Sequence, residues 1–430
     1  MQVYDKRFGY TLLRVFWVNP IVKLSVRRLA IRGKENLPKD GTIIIGCNHT
    51  SALLDALVIL RAMNRATVFM SRADIFRKPL LQKAFTYCKM LPIFRIRDGY
   101  AAVKQNEEVI AKCADVLEHG YPLALFPEAT HRPKHSLLPL SKGIFHIAFE
   151  ANKRFGNERP VYIVPMGLEY GRFFSYRSTV VATYGEPINV TEFVRQHEGK
   201  VTPARLLAML REELANRMSK LIAYVPDTED YDAQWELTKL CTAQKNSFSP
   251  TERLINNQGI IKHLVEKKEQ ENPEETAALY ADAIAFKKER RLRGIHPSST
   301  SHKHPLIASI GNTIALLCAL PYYLFCAITM LPSWLTSHII VNKLKDKAFN
   351  NTARLGVNLV LRPLLLIIWG IVAYCMLSPI PATLAVLMLF PAVAFFYDYN
   401  TFVLHTLSDW RWALAKHLHP RLSALLKRCK

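Results

Sequence analysis

The feature of the sequence that most restricts its fold is a pair of uncharged stretches in the C-terminal third. Residues 306–341 and 363–397 contain no Asp, Glu, Lys or Arg. Soluble domains rarely contain two such stretches, whereas membrane proteins do. One tilted spanning helix uses about 20–25 residues, so each stretch is too long for one helix and just long enough for two. We therefore expect an integral membrane protein.

Prolines divide both uncharged stretches, with Pro321 in the first and Pro379 and Pro381 in the second. Basic residues flank the stretches on every side, including the loop between them. The tendency of basic loops to stay in the cytoplasm places all three flanking segments on that side of the membrane. Two helical hairpins over residues 301–399 satisfy this arrangement, whereas two single spans would place the basic loop 342–362 outside.

The charge of the chain indicates an acidic partner. There are 57 Lys+Arg against 35 Asp+Glu, which gives a net charge of +22. Nucleic acid, anionic lipid and an acidic carrier protein all fit such an excess, and the uncharged stretches favour anionic membrane lipid. No zinc-ligand spacing or basic helix-turn-helix pattern favours nucleic acid. The eight cysteines include no C-x-x-C pair, so they predict no metal site and are typical of reduced thiols.

Three other segments lie outside the region that carries the motifs. Residues 1–40 form an amphipathic, basic segment that we expect either at a bilayer surface or packed on the core of its own domain, with a break or kink at Asn19-Pro20. Residues 226–300 are charged and helical in pattern, and we interpret them as an insertion or linker. Residues 400–430 are a basic amphipathic tail for which we expect an interfacial helix.

Between residues 41 and 225, short apolar runs alternate with helical patterns. The candidate strands are Thr42 to Cys47, Ala66 to Ser71, Pro92 to Arg95, Leu123 to Phe126, Val161 to Gly167 and Thr179 to Tyr184. The candidate helices lie near 51–63, 79–89, 99–119, 141–155 and 202–224. Such alternation is typical of an α/β domain with a parallel or mixed sheet flanked by helices. Sites in these sheets lie where strands end and helices begin.

One strand-to-helix junction carries His49 and, six positions later, Asp55. An imidazole can accept a proton near neutral pH, and a carboxylate on its far nitrogen fixes the tautomer and stabilises the imidazolium. On a regular helix six residues turn through roughly 240°, so the two side chains meet only if His49 lies in the turn before the helix. The residues also allow a second interpretation, a structural histidine beside an ordinary helix aspartate.

Charged and polar groups follow three further candidate strands. Arg95 and Arg97 suit a phosphate group, because guanidinium binds it through paired hydrogen bonds. The other candidates are a carboxylate, a hydroxyl, an arginine and a lysine at a turn into a helix, where backbone N–H groups also attract anions: Glu128, Thr130, Arg132 and Lys142. The alternative is a solvated charge for each cation and a structural hydrogen-bonding carboxylate for Glu128.

The order of these blocks resembles the glycerolipid acyltransferase family, which includes glycerol-3-phosphate and lysophosphatidate acyltransferases. The resemblance lies within residues 30–190 and rests on four blocks: Asn48 to Asp55, Pro92 to Arg95, Phe126 to Thr130 and Ile163 to Gly167. Five residues, rather than the usual four, separate His49 from Asp55, and Ala129 replaces the usual glycine. The longer spacing is similar to that of the yeast-type glycerol-3-phosphate acyltransferases.

The resemblance implies that an acyl chain moves from acyl-CoA or acyl-carrier protein to a glycerolipid hydroxyl, without a cofactor, a metal or an acyl-enzyme. His49 is then the base and Asp55 its orienting partner. The expected acceptor is 1-acylglycerol-3-phosphate, with glycerol-3-phosphate or dihydroxyacetone phosphate as alternatives. From another class, a non-catalytic lipid-binding or remodelling scaffold is the alternative, although a scaffold needs no base. The expected substrate-binding residues are Arg95, Arg97, Glu128, Thr130, Arg132 and Lys142.

Overall fold

The computed structural model describes residues 2–94, 106–156, 158–245, 247 and 249–429. The chain forms two compact units, which are described separately. The first comprises residues 1–23, 29–174 and 180–222, and the second comprises residues 24–28, 175–179 and 223–430.

In the described ranges the α/β part of the chain contains an eight-stranded mixed sheet. Its strands are β1 (Val26–Arg32), β2 (Thr42–Cys47), β3 (Val68–Arg72), β4 (Met90–Ile93), β5 (Leu123–Leu125), β6 (Val161–Tyr170), β7 (Ser178–Tyr184) and β8 (Ile188–Asn189). The order is β1-β7-β6-β2-β5-β3-β4, with β8 paired to β6. Strands β2 to β6 pair in parallel, whereas β7 and β8 run antiparallel to β6. The expected α/β class is confirmed.

Strand β2 lies at the centre of this sheet and is buried along its whole length. Its residue Gly46 pairs with Leu125 of β5 on one side, and Cys47 pairs with Met166 of β6 on the other. The register therefore places the carboxyl ends of β2 and β5 side by side, while β6 continues four residues further, to Tyr170. Segments that leave β2 and β5 must emerge at the same edge, and these segments carry His49 and Glu128.

Helices alternate with these strands along the chain, and several of them pack on the sheet. They are α1 (Phe8–Leu12), α2 (Asn19–Ser25), α3 (Leu53–Met63), α4 (Pro79–Tyr87), α5 (Asn106–Glu118), α6 (Gly143–Phe155), α7 (Val190–His197) and α8 (Pro203–Ser219). The core joins Ile44 of β2, Phe145 of α6 and Leu214 of α8, all fully buried. Each such side chain contributes about 1.5–3 kcal/mol to folding through its buried apolar area.

The N-terminal segment differs from its expected form. Asn19-Pro20 does not end the helix, because residues 13–18 take π-helical bonds in which the Asn19 N–H reaches Arg14 O, five residues back. The helix continues to Ser25, and the chain then becomes the edge strand β1 rather than more helix. Tyr10 is buried near the Lys89 ammonium, whereas Phe8 and Phe16 are 78% and 71% exposed.

The charged segment that we interpreted as an insertion is part of a helical bundle in the second unit. The shorter helices of this unit are α9 (Tyr231–Gln244), α10 (Pro250–Lys262), α11 (Glu269–Glu271), α12 (Pro273–Leu292) and α16 (Leu418–Cys429). Leu237 and Phe286 share a core with Leu418 and Leu422. The C-terminal helix therefore buries its apolar residues within the bundle, which differs from the expected interfacial tail.

Among the described residues, three helices are long and apolar enough to cross a membrane: α13 (Pro305–Lys343), α14 (Asn350–Met376, preceded by the 3₁₀ turn Lys347–Phe349) and α15 (Pro379–Leu414). The hairpin predicted for residues 306–341 is wrong, because α13 continues through Pro321. A proline inside a helix removes one hydrogen bond and crowds the carbonyl four residues earlier, which can kink a helix without ending it. In the second stretch the predicted break is present, since Ser378 is extended before Pro379.

Side-chain hydrogen bonds fix how these helices run relative to one another within the second unit. Asn312 Nδ2 donates to Asp409 Oδ2 over 2.9 Å, and Trp410 Nε1 donates to Thr313 Oγ1 over 2.9 Å. The first turns of α13 therefore lie beside the last turns of α15, and the two helices are antiparallel. The hydroxyl of Tyr374 contacts that of Thr383 at 2.8 Å and joins α14 to α15 as a hairpin.

This arrangement predicts the sidedness of three positions. Because the start of α13 lies beside the end of α15, residues 301 and 423 share a face, and α13 and α14 together make a single crossing. In a cysteine-free variant, single cysteines placed by Ser301→Cys and Ser423→Cys should react with an impermeant maleimide from one face of sealed membranes. Ser378→Cys lies in the turn of the hairpin and should react from the opposite face. Lysed membranes provide the control, in which all three must react. Labelling of all three from one face would show that the hairpin does not cross the bilayer.

Candidate active site

The turn that follows β2 is anchored by the side chain of Asn48. Its Nδ2 donates to Leu168 O over 3.0 Å, and its Oδ1 accepts from Leu168 N over 2.7 Å. The amide thus imitates one more residue of strand pairing between β2 and β6. This pair of hydrogen bonds fixes the backbone immediately before His49.

His49 lies in the turn, because α3 begins only at Leu53. The geometric condition set by the sequence is therefore met. Nδ1 of His49 lies 2.8 Å from Oδ2 of Asp55. Asp55 is fully buried, whereas the His49 side chain keeps 17% of its surface exposed. The pair thus combines an enclosed carboxylate with an imidazole that a bound molecule can reach.

Further donors converge on the Asp55 carboxylate. Oδ2 accepts from the backbone N–H groups of Thr50 and Ser51 over 2.8 and 2.7 Å. Oδ1 accepts from the hydroxyl of Tyr170 over 2.6 Å. Charge-assisted hydrogen bonds are roughly twice as strong as neutral ones. The carboxylate is therefore held in one orientation by the His49 turn on one side and by β6 on the other.

The contacts of His49 define which nitrogen of its ring can accept a proton. Since Nδ1–H donates to Asp55, Nε2 carries the lone pair that can accept a proton. The ring stacks on Phe126 at a centroid distance of 4.0 Å and meets the His131 ring edge-on at 5.4 Å. The strand ends of β2 and β5 thus hold the imidazole jointly.

Cys47 lies next to this pair, but its thiol is unsuited to act as a nucleophile. Burial raises the pKa of Cys47 well above its usual value, and the charges of Asp55 and Glu128 raise it further. A thiol must lose its proton to attack, so a buried thiol of this kind is inert.

Glu128 uses both carboxylate oxygens on the backbone of the site. Oε1 accepts from His49 N and Oε2 accepts from Leu138 N, each over 3.1 Å. Burial raises the pKa of Glu128 to about 7, against the smaller lowering effect of these two amides. The carboxylate ties the His49 turn to the loop 127–141. This geometry favours the structural interpretation of Glu128, while a contact with substrate stays a prediction.

Comparison with known proteins agrees with this geometry. Residues 28–169 match the family model described as Acyltransferase. A 1-acyl-sn-glycerol-3-phosphate acyltransferase of Cocos nucifera is 29% identical over 147 residues, which are 34% of this chain and 43% of that protein. Glycerol-3-phosphate O-acyltransferase 2 of Saccharomyces cerevisiae is 29% identical over 168 residues, which are 37% of this chain and 22% of that protein. Residues 28–169 therefore form an acyltransferase domain that is similar to those of these two glycerolipid acyltransferases.

The similarity covers only part of each protein. The chain spans less than half the length of the two curated relatives described above. The family match ends at residue 169 and does not extend to the long apolar helices. A crystal structure of the 1-acyl-sn-glycerophosphate (LPA) acyltransferase PlsC from Thermotoga maritima is 18% identical with a TM-score of 0.33, over 51% of this chain and 85% of that one.

The segment between the motif histidine and aspartate of this acyltransferase domain contains a tight turn. Leu54 N donates to Ser51 O over 3.1 Å, and Ala52 has φ 46° and ψ −124°. These angles are those of the first central residue of a type II′ turn, where glycine is preferred. Ala129, which replaces the usual glycine of the family, also has a positive φ of 58°. Both alanines therefore adopt strained backbone conformations beside the site.

Three other expected substrate-binding residues are placed around the same acyltransferase motif. Arg132 donates to Ser136 Oγ over 2.9 Å and to Leu137 O over 3.2 Å, so its guanidinium supports the loop that carries it. Thr130 is exposed in this loop. Lys142 is exposed at the residue before α6, near backbone N–H groups that begin the helix. The anion-binding roles of these three residues stay predictions.

Arg95 and Arg97 lie outside the described residues. The segment that contains them joins Phe94 to Asn106, and these two residues are tied together. Phe94 N donates to Asn106 Oδ1 over 3.0 Å, and Asn106 Nδ2 donates to Phe94 O over 2.9 Å. The two described ends of the arginine-bearing segment therefore meet at the end of β4.

Sequence reasoning missed two groups at this site. Tyr170 and Glu169 end strand β6, and Oε1 of Glu169 lies 2.9 Å from Nδ1 of the buried His135. Their signal in the sequence is a tyrosine and a carboxylate at the end of an otherwise apolar strand. That signal indicates a place in the site only once β6 is known to lie beside β2. The two strands are separated by more than 100 residues, so the sequence alone does not show that they are neighbours.

The strained turn predicts that Ala52→Gly stabilises the protein. Relief of the backbone strain, roughly 1–3 kcal/mol, exceeds the entropic cost of glycine, about 0.5–1 kcal/mol. We expect the midpoint of thermal unfolding in detergent to rise by about 2–4 °C. The matched control is Ala62→Gly inside α3, which should lower the midpoint. A lower midpoint for Ala52→Gly would show that the turn is not strained.

The contacts of Glu128 predict that Glu128→Gln destabilises the fold. At pH 8, above the pKa of about 7, the carboxylate accepts both amides, whereas Gln turns one NH₂ group toward an N–H donor. One unsatisfied buried group costs about 1–3 kcal/mol, so the unfolding midpoint should fall by at least about 2 °C. Glu198→Gln, at an exposed position, should leave it unchanged. A stabilised Glu128→Gln variant would instead favour a substrate-binding carboxylate.

Proposed function

We propose that the protein is a membrane-bound O-acyltransferase of phospholipid synthesis. It transfers a fatty acyl chain from acyl-CoA or acyl-carrier protein to the hydroxyl of 1-acylglycerol-3-phosphate. The observation that carries this proposal is the contact of 2.8 Å between His49 and the buried Asp55 within the family's motif. Relatives named as 1-acyl-sn-glycerol-3-phosphate acyltransferases, from Cocos nucifera and Brassica napus, support the choice of acceptor.

The proposed reaction uses His49 as a proton carrier. Nε2 accepts the proton of the acceptor hydroxyl as the oxygen attacks the thioester carbonyl, and a C–O bond forms. The tetrahedral intermediate then breaks its C–S bond, and the leaving thiolate takes the proton from the imidazolium. Asp55 stabilises that imidazolium between the two steps. General acid–base catalysis of this kind contributes typically 10²–10⁴-fold.

The acceptor's phosphate needs cations beside this base. We assign it to Arg95 and Arg97, whose planar guanidinium groups fit phosphate oxygens in pairs. Lys142 supports this assignment from the N-terminal end of α6, where backbone N–H groups also attract anions. Thr130 and Arg132 complete the proposed binding set, and Glu128 contributes by holding the loop that carries them.

The proposed location is an integral membrane protein with its acyltransferase domain on the cytoplasmic face, in a bacterial inner membrane or the endoplasmic reticulum. Three helices that are able to span a bilayer support this location. Basic residues flank these helices at the end shared by α13 and α15, which favours the cytoplasmic side for that end. The soluble acyl donor is available there, and the net charge of +22 favours a surface of anionic lipid.

A second candidate is acylation of glycerol-3-phosphate. Two relatives from Saccharomyces cerevisiae carry the name glycerol-3-phosphate O-acyltransferase. The five residues between His49 and Asp55 are similar to the spacing of that subgroup. Dihydroxyacetone phosphate offers the same hydroxyl and phosphate groups, so it belongs to the same assay. A non-catalytic scaffold is disfavoured, because it needs no buried carboxylate behind a histidine.

The test uses membranes that contain the full chain, a labelled acyl-CoA or acyl-carrier protein, and the three acceptors in parallel. We expect 1-acylglycerol-3-phosphate to be acylated fastest. His49→Ala should lower the rate by roughly 10²–10⁴-fold, because the base is lost. The matched control is His146→Ala, an exposed histidine on α6. A His49→Ala variant that keeps more than about a tenth of the activity is incompatible with the proposed base.

A further inference from the structure

The hydroxyl of Tyr170 contacts the Asp55 carboxylate at the oxygen that His49 does not use. It donates to Asp55 Oδ1 over 2.6 Å, while His49 Nδ1 lies 2.8 Å from the other oxygen, Oδ2. Tyr170 is only 2% exposed, so it has no access to a bound substrate. Any influence on the reaction must therefore pass through Asp55.

Tyr170 is held in place by the pairing of its strand. It is the last residue of β6, pairs with Val180 of the antiparallel strand β7, and lies two residues after Leu168 on the same face. Leu168 in turn holds the Asn48 side chain through two hydrogen bonds. Strand β6 thus braces the beginning of the His49 turn through Asn48 and the Asp55 carboxylate through Tyr170.

The hydroxyl is a permanent donor. Burial raises the pKa of Tyr170 well above its usual value, and the adjacent Asp55 raises it further. A carboxylate can rotate about its Cβ–Cγ bond, and a single donor on the far oxygen restricts that rotation. The donor also takes up part of the negative charge, which weakens the attraction of the pair for a proton.

We propose that Tyr170 is a positioning residue for the His49–Asp55 pair. Its hydroxyl holds the Asp55 carboxylate in the plane that directs Oδ2 at Nδ1 of His49, and it limits how tightly the pair retains the proton taken from the acceptor. This inference rests on the proposed acyl transfer for its kinetic consequence, but its effect on His49 can be measured without that reaction.

Tyr170→Phe removes the hydroxyl and keeps the ring. In the full-length protein we expect the turnover rate at pH 7 to fall roughly tenfold, with the Michaelis constant for the acceptor changed less than twofold. The acid limb of the pH–rate profile should move upward by about one pH unit, because the Asp55 carboxylate loses a hydrogen-bond donor. Glu128 and His131 are other titratable groups beside His49, and the substitution leaves their contacts with His49 unchanged. In an Asp55→Asn background, Tyr170→Phe should have little further effect.

The chain offers a matched control in Tyr184. This tyrosine is 1% exposed on the adjacent strand β7, and in the described part of the chain its buried hydroxyl has no hydrogen-bond partner. Tyr184→Phe therefore removes an equivalent buried hydroxyl without touching Asp55. It should leave the pH profile unchanged. Equal shifts for Tyr184→Phe and Tyr170→Phe would overturn the proposal.

A second variant protects the test against a failure of Tyr170→Phe to fold. Incorporation of 3,5-difluorotyrosine at position 170 keeps the hydroxyl and makes it a stronger donor. The acid limb should then move downward, opposite to the shift for Tyr170→Phe. An unchanged limb in this variant would overturn the proposal independently.

Reaction of His49 with diethyl pyrocarbonate separates this inference from the proposed function. The reagent modifies neutral imidazole, so the pH dependence of the modified peptide, followed by mass spectrometry, reports the protonation of His49. Its midpoint should shift upward in Tyr170→Phe even if none of the acceptors is acylated. If acyl transfer is observed but neither this midpoint nor the acid limb shifts, Tyr170 has only a packing role.

Discussion

The site depends on one buried anion, the carboxylate of Asp55. Its two oxygens accept hydrogen bonds from His49, from two backbone amides of the same turn and from Tyr170. These donors come from the end of β2 and from the end of β6, so the carboxylate joins two strands that the sheet has already placed together. A buried charge needs such compensation, because an unpaired one is strongly destabilising. The need to satisfy this carboxylate therefore shapes the turn, including the strained conformation of Ala52.

Much of the α/β architecture follows from the sequence, because its strands are short apolar runs bounded by turns and helices. Strand β2 was predicted with its observed bounds, and the meeting of His49 with Asp55 followed from a single geometric condition. The order of the strands could not be predicted from the sequence, since parallel neighbours such as β2 and β6 are distant in sequence. The contact between Tyr170 and Asp55 depends on that order. Glu128 was found as a candidate, but its two amide partners were not.

The differences from expectation have local physical causes. A proline in an apolar helix removes one hydrogen bond without creating a turn, so Pro321 leaves α13 continuous, whereas an extended residue before Pro379 starts a new helix. The apolar residues of helix α16 suit a membrane surface and a helical bundle equally well. The structure shows that they are buried against Leu237 and Phe286 of the bundle. The sequence pattern of α16 alone does not indicate which surface these residues pack on. The edge strand β1 was missed because its basic, half-exposed pattern resembles an amphipathic helix.

The bundle of the second unit is built from two parts of the chain that are synthesised far apart in time. Helices α9 and α12 precede the three long apolar helices, and α16, which completes their core, follows them. At roughly 5–20 residues per second, ribosomes need on the order of 10 s to pass from the end of α12 to the end of α16. Synthesis of the three long apolar helices therefore precedes closure of the bundle. Until α16 has been synthesised, the apolar residues of α9 and α12 that it covers stay exposed, and transiently exposed apolar surface favours aggregation.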